Sequence, residues 1–264
     1  MDFQEKEKYT FADLIEIMKL LRSPQGCPWD REQNHTTIRQ NFIEETYEVV
    51  EAIDRQDTEL LKEELGDVLL QVVFHAQMEE ETGNFTIDDV SDGICKKLIV
   101  RHPHVFGDVV ADNTNAVLNN WDKIKMKTKS QTNQSDAMIS VSKALPSLMR
   151  AAKIQQKAAK VGFDWENIDG PLSKISEELD ELREALNSSN QEHIEEEFGD
   201  LLFSVVNVSR FIHSDAEKAL YKACDKFTDR FIRMENLAKV KDINIQSATL
   251  SELDSLWNEV KIIS

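Results

Sequence analysis

Residues 177–200 read EELDELREALNSSNQEHIEEEFGD, and the spacing of their acids constrains the rest of the chain. Glu178 and Glu181 lie three apart, and so do Glu197 and Asp200. Three residues along a helix is one face, so each pair points both carboxylates the same way. Between the pairs, Asn187-Ser188-Ser189-Asn190 is turn chemistry, with Ser189 and Glu192 at capping-box spacing for a new helix. The stretch therefore predicts two short antiparallel helices that gather four carboxylates. Four acids repel unless a hard cation sits among them, and an oxygen-only donor set suits Mg²⁺ or Mn²⁺.

The chain has 264 residues, enough for two domains with apolar content to bury a core. A formal charge of −18 excludes a general nucleic-acid binder, which needs a basic surface. It leaves room for a small anionic substrate, because a few local lysines and a bound cation invert the field. Cys27, Cys95 and Cys224 are odd in number, widely spaced and free of any CxxC, which fits a reducing compartment. Nothing near the start resembles a signal peptide, and no apolar run reaches the ~18 residues of a membrane span. A soluble cytoplasmic protein with no membrane partner is the expectation.

Working outward from the N-terminus, FADLIEIMKLLR at 11–22 carries the helical stripe Leu14, Ile17, Met18, Leu21. The segment SPQGCP at 23–28 ends that helix. From Phe42 to Ile53 a second helix has Ile43, Tyr47 and Val50 on one stripe, with Glu45 and Glu48 roughly opposite. Taken alone, that is a solvated acidic face. After a turn at 54–57, LLKEELGDVLLQVVFHAQM is a third helix, apolar almost all round beyond Asp67 and so read as buried. Glu64 and Asp67 sit at the edge of its apolar surface, where carboxylates are costly to desolvate without compensation. Gly66 inside this helix costs about 1 kcal/mol against alanine, which predicts either room for a close neighbour beside Asp67 or a packing notch. A further helix over about 86–101 carries Lys97 and Arg101, and another over about 114–127 carries Trp121 and Lys125. Residues 127–140 are polar without periodicity and read as a linker between domains at 1–126 and 141–264.

The second half replays the first. LPSLMRAAKIQQKAA parallels the opening helix, GFDW stands for CPWD, EELDE for EETYE, and EEFGD at 196–200 for EELGD at 63–67. Fifteen residues separate Glu48 from Glu64, and again Glu181 from Glu197. Lys226 and Arg230 repeat Lys97 and Arg101; Trp257 and Lys261 repeat Trp121 and Lys125. An ordered set of this length marks a tandem duplication into two domains.

The pattern EExxE, a spacer, then ExxD, with GCPWD, RHPHVF, GFDW, KFTDRF and WNEVK around it, resembles the MazG nucleoside triphosphate pyrophosphohydrolases. The resemblance covers nearly the whole chain outside the linker. It implies an all-α fold of helical bundles, usually dimeric, and Mg²⁺-dependent cleavage of nucleoside triphosphates to monophosphate and pyrophosphate, a nucleotide-pool activity. Position by position it makes Glu178, Glu181, Glu197 and Asp200 the metal ligands. Lys174, Glu177, Glu196, Lys226, Arg230, Trp257 and Lys261 fall where nucleotide contacts lie. His193 departs from the family, which has a basic residue just before the second acidic pair. Glu177 or Glu178 serves as base or orients the attacking water, and the residues do not choose between them.

Both copies keep four carboxylates, so Glu45, Glu48, Glu64 and Asp67 form a second candidate metal set. Four positions before the first acid, however, the second copy has Lys174 and the first has Asn41. That difference, with the resemblance, favours 141–264 as the working copy. The competing reading is a non-catalytic nucleotide- or partner-binding module that keeps its acids as structure.

Overall fold

A computed structural model describes residues 3–109, 113–114, 117, 120–121, 124, 133–188 and 190–262. Among these are twelve helices and no strand, as an all-α duplication requires. The expected helix near 114–127, including Lys125, lies largely outside the described residues, as does Ser189. The chain divides into two compact units, Met1–Lys125 and Met126–Ser264.

Unit 1 contains α1 (Phe11–Arg22), α2 (Pro28–Glu32), α3 (Arg39–Arg55), α4 (Thr58–Glu81), α5 (Ile87–Arg101) and α6 (Pro103–Phe106). Thr10 opens α1 by a capping box: its hydroxyl accepts from the Asp13 N–H, and the Asp13 carboxylate accepts from the Thr10 N–H. Gln56, in the left-handed region at φ 56°, ends α3. Asp57 starts α4 by accepting from the N–H groups of Glu59 and Leu60. This two-residue reversal makes α3 and α4 an antiparallel hairpin. The core joins Met18 of α1, Ile38, Val73, Phe74, Ala76 and Met78 of α4, and Ile87 of α5.

Three expectations change here. On α3 Phe42, Glu45, Val49 and the buried Ala52 are among the less exposed residues, and these four share a helical face that includes one of the acids. The stripe Ile43, Tyr47, Val50 is exposed instead, because α3 spends its acid-bearing side on α4. Helix α4 is not buried all round: Leu65 and Leu69 are exposed on the side its neighbours leave uncovered. Gly66 answers neither need proposed for it, since a Cβ there meets nothing within 4 Å, and the same holds for Gly199.

Unit 2 contains α7 (Gln134–Ile139), α8 (Ser147–Ala159), α9 (Asp169–Ser188), α10 (Gln191–Phe211), α11 (Ala216–Val240) and α12 (Leu250–Ile262). Helix α7 lies within the stretch read as linker. Asn133 and Asp136 form a capping box there, and Ala137 is buried, which a scan for apolar periodicity over so short a segment misses. Helices α9 and α10 form the hairpin that matches α3 and α4. Asn190 caps α10 by accepting from Glu192 and His193, taking the role expected of Ser189. Asp164 in the GFDW loop bonds Arg210 near the end of α10 at 2.5 Å, fixing the entry to α9 against its partner helix. Helices α11 and α12 close a second core of Met234, Ala238, Leu256 and Val260, with Trp257 packed on it. Among the described residues no helix is long and apolar enough to cross a membrane.

Candidate metal and phosphate site

The α9–α10 hairpin decides the geometry. Antiparallel packing sets the first turns of α10 beside the middle of α9, so Glu178 faces Glu197 and Asp200. One oxygen from each of these three lies within 4.8 Å of the others. Glu178 is 4% exposed, an almost fully buried carboxylate that needs a partner. It finds one in Lys174, one turn earlier, whose Nζ stands 2.6 Å from Glu178 and 2.8 Å from Glu177. These two carboxylates, Glu177 first, raise the lysine pKa above its ordinary value, so the ammonium stays charged.

Glu181 stands outside the trio yet feels it. Desolvation and then the charge of Glu178 push its carboxyl up, with Glu197 adding and Lys174 opposing. His193 sits 3.4 Å from Glu197 and 3.9 Å from Glu196, so its imidazole occupies the place of the missing basic residue. Glu196 itself is exposed. Three carboxylate oxygens this close, with one ligand buried, form a hard-donor set that a divalent cation satisfies and that nothing apolar does.

In unit 1 the acids that converge within 4.8 Å are Glu45, Glu48 and Glu64, so Glu48 takes part where the match of Asp200 would be Asp67. Among the described residues no lysine acts on Glu45 or Glu64. Desolvation leads in pushing Glu45 and Glu64 up, followed by Asp67 for Glu45 and by Glu48 for Glu64. Asp67 thus acts on both carboxyls from just outside the trio.

The basic candidates lie on a different hairpin. Lys226 and Arg230 line a cavity of 460 Å³ on α11 with Lys222, Asp225, Asp229 and Arg233. Among the described residues Arg230 Nε is buried without a hydrogen-bond partner. Trp257 is half-buried against Phe227, ring centroids 5.0 Å apart, and Lys261 is exposed in the last turn of α12. Among the described residues Lys226, Arg230 and Lys261 make no ion pair with the acid trio. Of the expected site residues, the fold therefore joins Lys174, Glu177, Glu178, Glu197 and Asp200, and holds the α11–α12 cations apart from them. Lys222 was missed, although its spacing of four before Lys226 was a readable signal. In unit 1, Arg101 lies over the ring of Trp121 at 5.3 Å, so the repeat-related cation and indole touch there.

Comparison with known proteins gives one consistent result. The model of the MazG nucleotide pyrophosphohydrolase domain matches twice, over residues 33–106 and 169–233. A protein of Thermotoga maritima named nucleoside triphosphate pyrophosphohydrolase/pyrophosphatase MazG is 46% identical over 251 residues, 95% of each chain. The Escherichia coli K12 nucleoside triphosphate pyrophosphohydrolase is 43% identical over 251 residues, 94% of this chain and 95% of that one. An uncharacterised Bacillus subtilis protein, YabN, is 48% identical over 260 residues, 98% of this chain but 53% of its own length.

Proposed function

The chain belongs to the MazG nucleotide pyrophosphohydrolase family, and on that premise we propose that it hydrolyses nucleoside triphosphates to monophosphate and pyrophosphate in unit 2. The observation that carries the reading is the trio Glu178, Glu197, Asp200, with Lys174 poised on Glu178. Glu178, Glu197 and Asp200, with Glu181 beside them, would hold Mg²⁺, or Mn²⁺ in its place. Such a cation, when bound, offsets the charge of the triphosphate and acidifies water.

The chain's own residues then divide the work. Lys174 exchanges a carboxylate for a phosphate oxygen, which its charged, half-exposed ammonium is free to do. Glu177, exposed and outside the trio, takes the proton of the attacking water. The water oxygen bonds to the α-phosphorus, the α–β bridging bond breaks, and pyrophosphate leaves. Glu196 lies on the exposed rim of α10, beside the path of the nucleotide. Lys226, Arg230 and Lys261 neutralise the leaving phosphates, and Trp257 packs against base or ribose. Their place on another hairpin of the same chain is accounted for by a homodimer. Helix α5 is exposed from Asp88 to Val100 with Ile94, Leu98, Ile99 and Val100 uncovered, and α11 leaves Leu220, Tyr221, Phe227 and Phe231 uncovered. Faces so apolar suit a second copy. A cytoplasmic site fits three free cysteines and a nucleotide substrate.

The test is pyrophosphate release by the intact chain from a panel of NTPs and dNTPs, with Mg²⁺ and with chelator. Nucleotide binding without pyrophosphate from any member of the panel would leave only a binding module.

A further inference from the structure

Unit 1 holds a polar chain that unit 2 lacks. His35, in the turn before α3, brings Nε2 to 2.6 Å from Glu79 Oε1 and Nδ1 to 2.7 Å from His75 Nδ1, both partners being on α4. The second oxygen of Glu79 accepts from Asn84 Nδ2 at 2.6 Å. The two imidazoles are nearly coplanar, 4° apart, and Phe42 of α3 meets His75 edge-on with centroids 5.8 Å apart.

The proton positions follow from donor and acceptor chemistry. A carboxylate only accepts, so His35 Nε2 carries a hydrogen. Neutral His35 then has a bare Nδ1, and the contact with His75 requires the hydrogen on His75 Nδ1. One added proton is tolerated: it rests on His35, balanced by Glu79, and the Nδ1 pair still shares a single hydrogen. A second puts two N–H groups head to head across 2.7 Å.

At the offset that aligns Glu45 with Glu178, His35, His75 and Glu79 correspond to Ile168, Val208 and Ile212. The fold is therefore built in unit 2 with aliphatic residues at all three places, and the polar chain is an addition peculiar to unit 1. It joins the turn leading into α3, next to the buried core residue Ile38, to the later half of α4.

We propose that the Glu79–His35–His75 chain is a proton-operated clasp. It holds the start of α3 on α4 while one hydrogen is shared between the imidazoles, and opens when both rings are protonated. The charges on neighbouring elements are otherwise engaged: Lys19 of α1 pairs with Glu80 at 2.9 Å and Arg22 with Glu81 at 2.7 Å. Burial and then the charge of His35 hold the His75 pKa below the ordinary histidine value. For a group depressed on folding, its stabilisation is complete above the unfolded value of ~6.5 and is lost as pH falls from there. Bonds from Asn84 and then His35 hold Glu79 low, so it stays ionised through that window. Because α3 carries Glu45 and Glu48, opening the clasp loosens the acid trio of unit 1.

Hydrogen-exchange mass spectrometry of the intact chain near pH 7.5 and near pH 5.5, compared at equal intrinsic exchange, tests this. Peptides over residues 34–42 are expected to lose protection on acidification, by up to about tenfold per pH unit for one proton taken up on opening. Peptides over 167–175 serve as the internal control and hold theirs. Equal change in both segments, or none in either, overturns the clasp. The variant H35I/H75V/E79I, carrying the unit 2 residues, is expected to abolish the pH dependence of 34–42; its persistence refutes the role of these three side chains. Should that variant not fold, ¹⁵N-histidine spectra of the wild-type chain decide: His75 protonated on Nδ1 near pH 7.5 is required, and the Nε2–H tautomer excludes the clasp.

Discussion

Both acid trios sit on an antiparallel helical hairpin but draw on different positions: in unit 2 the buried acid is Glu178 on the first helix, and in unit 1 it is Glu64 on the second. In unit 2 the buried Glu178 has Lys174 one turn before it at 2.6 Å. In unit 1 the corresponding position is Asn41, and Glu45 and Glu64 respond by having their carboxyls pushed up. One difference on the same helix face, Lys174 against Asn41, thus separates a trio with a lysine ion-paired to its buried acid from one whose carboxyls are pushed up by desolvation and neighbouring acids.

The sharpest way to break this contrast is to remove one ligand from each trio. Glu197→Gln is expected to lower pyrophosphate release by at least ~10³-fold, as loss of a transition-state charge partner does, whereas Glu64→Gln leaves most of it. The reverse order would move the active site to unit 1. Lys174→Met should cost less, roughly 10–10²-fold in kcat/KM, the worth of one charged hydrogen bond. An unchanged rate would mean that the lysine only holds Glu178.

Cation binding to unit 1 alone can be followed by calorimetry on the intact Glu197→Gln protein. Raised carboxyl pKa values mean that protons compete with Mg²⁺, so apparent affinity should rise with pH through the acid range and level off above it. A pH-independent affinity would contradict the raised carboxyls of Glu45 and Glu64. The smallest expected effect is that of Asn41→Lys, which transplants the unit 2 solution. It should lower the carboxyl pKa of Glu45 and stabilise the chain by about 0.3–0.5 kcal/mol in thermal unfolding, an i,i+4 helical pair being worth that much.

Much of this was legible in the chain because helices write themselves locally. The capping residues Thr10, Asp57 and Thr86, and the repeated spacing of acids, belong to segments of a few residues. The fold class and the duplication follow from such segments plus one turn. Reading fared worse wherever a helix had to choose a face. The Ile43–Tyr47–Val50 stripe is exposed, while on another face of α3 Ala52 is buried and Glu45 half-buried. An apolar stripe says that something covers it, and nothing in the stripe says what. The His35–His75 pair was invisible for another reason: His75 and Glu79 are four apart, but His35 is forty residues away from His75. No local spacing joins them.

The sequence by itself determined that the chain is a pair of all-α units, each with two acids three apart on each arm of a helical hairpin. Helical periodicity and turn chemistry are short-range, so a string of residues carries them. Tertiary packing alone decided which carboxylates converge, that Glu178 is buried against Lys174 while desolvation pushes the carboxyls of Glu45 and Glu64 up, and that Lys226 and Arg230 lie on a separate hairpin. Those outcomes depend on which faces meet across space, where desolvation and neighbouring charge act over a few ångströms and sequence distance counts for nothing.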